Sequence, residues 1–142
     1  MKVRLVLLSA ALALAAGLSL TACSSSSPES VARDFYIYLG DGKPEKALEL
    51  VHPKSRAAWG GAIENMSRQI ASCGGIGQLN IDEGARKRYL QLLRVKMVMR
   101  KAGESGCDNH WETIKVIKAD GKWFLFFGLF EGSLEDVYIS NW

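Results

Sequence analysis

The spacing of the apolar residues changes once along the chain, near residue 79, and this change constrains the fold more than any other feature. Before it, apolar residues recur in steps of four and three, which predicts an amphipathic helix. The members of this helical stripe are Trp59, Ile63, Met66, Ile70 and Cys73. After it, apolar residues alternate with charged ones, which predicts a β-strand. The apolar members are Leu93, Val95, Met97 and Met99, and Arg94, Lys96 and Arg100 face the other side.

Two shorter helices are predicted before the striped one. Ser27 can cap the first of them, Pro28 suits its first position, and Gly40 ends it. Its inward positions are Val31, Phe35, Tyr38 and Leu39. The second helix covers residues 43–51 and ends before Pro53, with Ala47, Leu48 and Val51 inward.

The end of the chain predicts a β-hairpin that turns at Asp120–Gly121. The run from Trp123 to Phe130 is apolar on both faces, as in a strand that is covered on one side and lines a cavity on the other. Gly128 is expected to kink this strand. The order predicts an α+β fold, with three N-terminal helices packed on a curved antiparallel sheet of three to four strands.

The first residues form a leader rather than part of the domain. Lys2 and Arg4 precede an uncharged run of 16 residues, Leu5–Leu20, which is shorter than the roughly 20 residues of a membrane-spanning helix. A basic start, a short apolar middle and a small-residue end predict a secretory signal peptide over residues 1–22. An ordinary signal peptide with a chance cysteine, or an uncleaved anchor, are the alternatives.

The leader ends in Leu20-Thr21-Ala22-Cys23, which resembles the lipobox of bacterial lipoproteins. The resemblance implies cleavage before Cys23, a diacylglycerol on its sulfur and a fatty acid on its new amine. Residues 23–27 would then be the acylated cysteine and a serine tether, followed by a single domain over 28–142. By resemblance to the sorting rule of lipoproteins in enteric bacteria, Ser24 after the cysteine implies the outer membrane, on its periplasmic side, if the organism has two membranes. Two or more acyl chains make such an anchor stable.

The charge balance argues against a nucleic-acid partner. The leader carries two of the 18 basic residues and no acidic one, so 16 basic against 15 acidic residues leave the mature part at +1.

A second resemblance covers most of residues 28–130. The segments SPESVARDFYIYLGDGKPEKALELVHP and IKADGKWFLF resemble the opening helices and the closing hairpin of the nuclear transport factor 2-like superfamily, small bacterial lipoproteins included. This resemblance implies a cone-shaped domain in which helices and sheet enclose a pocket. The candidate lining residues are Phe35, Tyr38, Trp59, Met97, Met99 and Phe126.

The two cysteines that remain after Cys23 are expected to pair. Outside the cytoplasm two cysteines usually form a disulfide, and a Cys73–Cys107 bond would staple a helix end to a connection between strands. Two free buried thiols are the alternative, and the spacing does not fit a CxxC redox pair.

No catalytic or metal motif stands out. His52 and His110 are the only histidines and are not in a zinc-binding spacing, and no GxSxG or phosphate-loop sequence is present. We therefore expect no metal, no cofactor and no catalytic residue.

These features predict a lipid-anchored, non-enzymatic domain of the cell envelope that binds a small apolar ligand or a protein partner. One alternative is an isomerase- or dehydratase-like enzyme, because some members of the superfamily place an acid/base residue beside a tyrosine in an apolar pocket. The candidate residues for that chemistry are Asp34, Tyr36, Tyr38, His110 and Glu112.

Another alternative is a structural homodimer that buries residues 123–130. The basic residues of 86–100 could meet an anion or form a solvated face paired with Glu112.

Overall fold

The computed structural model describes residues 26–127. Three helices precede a four-stranded antiparallel sheet of strand order β1-β2-β3-β4. The helices are α1 (Pro28–Gly40), α2 (Pro44–Glu49) and α3 (Pro53–Ser72), and the strands are β1 (Ile76–Lys87), β2 (Leu90–Met99), β3 (His110–Ala119) and β4 (Lys122–Phe126). The predicted α+β order is confirmed. The predictions for the signal peptide, Cys23 and residues 128–142 fall outside the described residues.

Prolines and a serine cap mark the starts of the helices. The Oγ of Ser27 accepts a hydrogen bond from the backbone N–H of Ser30 at 3.1 Å, and a proline opens each helix. A proline at this position loses no hydrogen bond and already has a helical φ angle. Helix α3 begins at Pro53 and continues through Gly60 and Gly61. In the described residues, no helix is long and apolar enough to cross a membrane.

The sheet follows the predicted alternation. The side chains of Leu93, Val95, Met97 and Met99 are buried on the face toward the helices, whereas Arg94 is exposed on the opposite face. β1 begins at Ile76, three residues before the predicted change of period. The predicted hairpin at Asp120–Gly121 is confirmed, because both residues have positive φ angles, 47° and 76°. Two successive positive φ angles are typical of the turn that Asp-Gly favours in hairpins.

Helix α1 provides the centre of the core, with one correction to its predicted face. Phe35, Tyr36 and Leu39 are all fully buried, so Tyr36 occupies the inward position that the sequence assigned to Tyr38. Tyr38 is half-buried, and the Nζ of Lys46 lies 5.9 Å from the centroid of its ring. The buried face of α1 also includes Ala32, so it is wider than the predicted stripe and centred closer to Tyr36.

The stripe of α3 needs a similar correction. Ile63 and Ile70 are buried as predicted, but Trp59 is 37% exposed. Ser67 is buried and donates a hydrogen bond to the backbone oxygen of Leu39 at 3.0 Å. The face of α3 that contains Ser67 therefore packs against α1, and Trp59 lies at the edge of the buried face.

The outer edge of β4 pairs with the segment between α2 and α3. The backbone N–H of Leu125 donates to the oxygen of Leu50 at 2.9 Å, and the N–H of His52 donates to the oxygen of Leu125 at 2.8 Å. Trp123 and Leu125 are buried within the single chain. The described part of the aromatic strand therefore needs no second copy to cover these two side chains.

His52 makes the stability of the domain depend on pH. Its Nδ1 accepts from the backbone N–H of Lys54 at the start of α3, and burial lowers the pKa of His52, with the charges of Lys54 and Arg56 acting in the same direction. The unfolded chain therefore binds a proton below pH ~6.5 more readily than the native protein does. We expect the free energy of unfolding to fall as the pH drops from 7 to 5. The substitution His52→Asn, which keeps a capping oxygen, should reduce this slope in urea titrations, and equal slopes in both proteins would contradict this account.

Candidate functional site

A cleft opens between α3 and the inner face of the sheet, at the end where β2 connects to β3. Its volume is about 490 Å³. Helix α3 packs chiefly against α1 and α2 rather than directly on the strands, which leaves this space between them. The apolar surface of the cleft comes from Met66, Ile70, Met97 and Met99.

The rim of the cleft is polar. It consists of Asn65, Gln69, Asp108, Asn109 and His110. Among the described residues that line the cleft there is no lysine or arginine. Side-chain amides both donate and accept hydrogen bonds, so this rim suits a ligand group that does the same.

Cys73 lines the cleft, and Cys107 follows the cleft residue Gly106. Cys73 caps the C-terminal end of α3, and Cys107 lies in the connection from β2 to β3. Their Sγ atoms are 2.09 Å apart, which is disulfide distance, and their Cα atoms are 5.5 Å apart. This pair links the helical wall of the cleft to the loop that forms its rim.

A chain of polar side chains runs from α1 to the cleft. The buried hydroxyl of Tyr36 donates a hydrogen bond to the Oε1 of Glu112 on β3. The other carboxylate oxygen, Oε2, lies 3.6 Å from the Nε2 of His110 at the rim. Burial and the neighbouring charge of Glu112 raise the pKa of Tyr36 well above its usual value, so this hydroxyl stays a donor at neutral pH.

The strand register explains why these groups meet. Glu112 lies opposite Val95 and His110 lies opposite Met97, so both belong to the inner face of the sheet. The prediction that Glu112 pairs with the basic face is therefore wrong, because Arg94 and Lys96 project from the other face. A stripe through Ala32, Tyr36 and Leu39 would have indicated the position of Tyr36 from the sequence, but nothing in the sequence specified its partner.

The six predicted lining residues do not all meet at one place. Met97 and Met99 line the cleft together. Phe35 is buried in the core, with its ring centroid 5.1 Å from that of Tyr36. Trp59 packs against Phe127 at 5.4 Å between centroids, and Phe126 lies against His52 at 5.9 Å.

The remaining candidates for chemistry are dispersed. Asp34 is exposed on α1, and His52 caps the start of α3 and is not among the cleft residues. Within residues 26–127, no group of three or more histidine, cysteine or acidic side chains is placed to hold a metal ion.

Comparisons with known proteins identify the fold. A protein from Campylobacter jejuni described as an NTF2-like (nuclear transport factor 2-like) transpeptidase is similar in structure, with a TM-score of 0.57 and 17% sequence identity over 72% of this chain and 100% of that one. The chain has the NTF2-like fold. A SEC-C motif-containing protein from Rhodopseudomonas palustris is also similar, with a TM-score of 0.57 and 19% identity over 75% of this chain and 80% of that one. No protein-family model and no curated protein matches the chain.

The cysteine pair makes the first testable prediction for the site. In the chain-entropy account, closing a loop of 34 residues stabilises a protein by about 3–4 kcal/mol. We expect the double substitution Cys73→Ser/Cys107→Ser to lower the free energy of unfolding by about this amount. Peptide mapping after alkylation of the denatured chain should find both cysteines labelled only after reduction. Labelling of both without reduction would contradict the bond.

The hydrogen bond between Tyr36 and Glu112 makes the second prediction. The substitution Tyr36→Phe removes the donor and leaves a partly buried carboxylate without it, so we expect a loss of about 1–3 kcal/mol in the free energy of unfolding. Tyr38→Phe on the same helix is the matched control and should change stability by less than about 0.5 kcal/mol. Urea unfolding followed by tryptophan fluorescence measures both, and equal effects would show that the bond contributes nothing specific.

Proposed function

We propose that this protein is a lipid-anchored domain of the cell envelope that binds a small, neutral amphipathic ligand in the cleft between α3 and the sheet. The observation that carries the proposal is the cleft itself, with a methionine-rich apolar wall and an amide-rich rim. Ligand sites typically combine a mostly apolar surface with a few placed polar groups. In this proposal, the cleft corresponds to the pocket that a cone-shaped domain of the NTF2-like fold encloses.

The lining favours a particular ligand chemistry. Methionine side chains are flexible and polarizable, so Met66, Met97 and Met99 can adapt to apolar groups of different shapes. The rim has the carboxylate of Asp108 and no described cation, so it disfavours a ligand with a carboxylate or phosphate. A ligand with an aliphatic or aromatic body and a hydroxyl, ester or amide group fits these requirements.

The anchor part of the proposal rests on the lipobox-like segment Leu20–Cys23 and on the apolar leader before it. A thioether-linked diacylglycerol together with an amide-linked fatty acid would hold the domain at a lipid surface without a membrane-spanning helix.

A second candidate function is proton transfer to a ligand in the same cleft. His110 lines the cleft and lies 3.6 Å from a carboxylate oxygen of Glu112, an arrangement that can orient an imidazole for acid/base work. Tyr36 does not contribute directly to this, since its hydroxyl is engaged by Glu112. The two candidates differ in what native mass spectrometry recovers with the protein: an unchanged ligand for binding, a converted one for proton transfer.

Filling the cleft tests the binding proposal. Ala62 is an exposed cleft residue on α3, so Ala62→Trp places an indole in the cleft without disturbing the core. Ala57→Trp, exposed on the same helix and not among the cleft residues, is the matched control. With the neutral dye Nile red as a probe, we expect Ala62→Trp to weaken binding at least about tenfold, whereas Ala57→Trp should bind as the wild type does. Equal binding by all three proteins would contradict the assignment of the cleft.

A further inference from the structure

Three parts of the chain meet at the end of the domain opposite the cleft. The β1–β2 hairpin and the β3–β4 hairpin turn at the same end of the sheet, and the backbone N–H of Lys118 donates to the oxygen of Tyr89 at 2.8 Å, which ties them together. The N-terminal tether leaves the domain at this end as well. Ser26 lines one groove with Lys118 and Lys122, and Glu29 is close enough to Arg86 for their charges to interact.

The two hairpins at this end carry a cluster of cations. These cations are Arg86, Lys87, Arg88, Lys118 and Lys122, which we call the basic tip. All of them are exposed except Lys118, which is half-buried and has its Nζ 5.8 Å from the ring centroid of Trp123. Within residues 86–89 and 118–123, Asp120 is the only acidic side chain. Glu29 offsets part of the charge of Arg86, and Asp34 and Glu49 line the groove that contains Lys118 and Lys122.

The local backbone holds the first hairpin in a defined shape. Gly84 lies at a register shift of β1, where an added Cβ would come within 2.9 Å of the backbone oxygen of Leu92. The fully buried Gln91 donates from its Nε2 to the oxygens of Gly84 and Leu92, both at 3.1 Å. The base of the hairpin that carries Arg86, Lys87 and Arg88 is therefore pinned by buried hydrogen bonds.

The tether limits how far this end can lie from the anchor. Only three peptide units separate Cys23 from Ser26, so their Cα atoms are at most about 10 Å apart. This distance is similar to the Debye length at physiological ionic strength, about 8 Å, within which a charged surface attracts exposed cations. An acylated Cys23 would thus hold Ser26, and the groove it shares with Lys118 and Lys122, close to the lipid headgroups.

We propose that the basic tip binds the anionic headgroups of a phospholipid surface and sets the orientation of the domain, with the cleft facing away from the membrane. This inference rests on the lipid anchor of the proposed function. Each lysine or arginine close to an anionic bilayer contributes an attraction of its own, and such a patch together with acyl chains forms a two-part membrane signal. The basic residues Arg94 and Arg100 are not part of the tip, since Arg94 lies in the middle of β2 and Arg100 at the cleft end.

The test uses the full chain expressed in a bacterium, purified from membranes and reconstituted into vesicles. One set of vesicles contains phosphatidylcholine alone, and the other contains equal parts of phosphatidylcholine and phosphatidylglycerol. Amide hydrogen exchange is measured for peptides covering residues 84–90 and 118–123, and for residues 100–109 at the cleft end. We expect exchange at the tip to slow by about tenfold on the anionic vesicles, reversibly with salt, and exchange at residues 100–109 to stay unchanged.

Two matched variants separate the tip from general charge. Lys87→Gln/Arg88→Gln/Lys122→Gln removes three exposed cations of the tip, and Arg94→Gln/Arg100→Gln/Lys101→Gln removes three exposed cations elsewhere. The first should abolish the protection and the second should retain it. Equal exchange on both kinds of vesicle, or protection at residues 100–109 instead, would overturn the proposal.

The intact mass of the purified protein distinguishes failure of the anchor from failure of the tip. A mass without fatty acids would remove the lipid anchor from the proposed function. Binding by the basic tip would then be measured as co-sedimentation of the unanchored full chain with the anionic vesicles. The triple substitution at the tip should reduce this binding, and the control substitution should not.

Discussion

The position of helix α1 on the sheet is the constraint on which the rest of the structure depends. Phe35 and Leu39 pack it into the core, and the hydrogen bond from Tyr36 to Glu112 fixes it relative to β3. Burying a tyrosine hydroxyl against a carboxylate is favourable only when the two groups meet, so this contact selects one placement of the helix. Because α3 packs on α1 and α2, that placement also sets the distance between α3 and the strands, and with it the width of the cleft.

The two ends of the domain have different chemistry because of the sheet topology. In an antiparallel sheet of order β1-β2-β3-β4, the first and third connections share one end and the second connection lies at the other. The first and third are short hairpins that carry the cations of the basic tip, next to the start of α1. The second is the long connection with Cys107 and the rim residues 108–110. The start of α1 and the cleft therefore lie at opposite ends of the sheet.

The sequence was sufficient to predict the fold class, the cap of α1, the turn between β3 and β4 and most of the buried positions, because these follow from local patterns. Ser27 and Pro28 mark the start of α1, Asp120–Gly121 marks a hairpin, and alternation assigns the faces of β2. The start of α3 at Pro53 was not predicted, because Gly60 and Gly61 obscure the beginning of its helical pattern. Tyr36 and Trp59 were misplaced, since a helical stripe can be rotated by a residue and only tertiary packing decides where its centre lies. Two of the six predicted lining residues, Met97 and Met99, share the cleft, because alternation gives a face but not what covers it.

The cleft explains why a cysteine pair at this end of the domain would stabilise the fold. A space of about 490 Å³ between α3 and the sheet means that this end of the domain lacks the close side-chain packing that holds the rest together. Pocket walls with few contacts across them open at a lower free-energy cost than a filled core. A bond between Cys73 and Cys107 would join the end of α3 to the β2–β3 connection and limit that opening without filling the space. A crosslink at this end would therefore supply the restraint that close apolar packing supplies in the rest of the described domain.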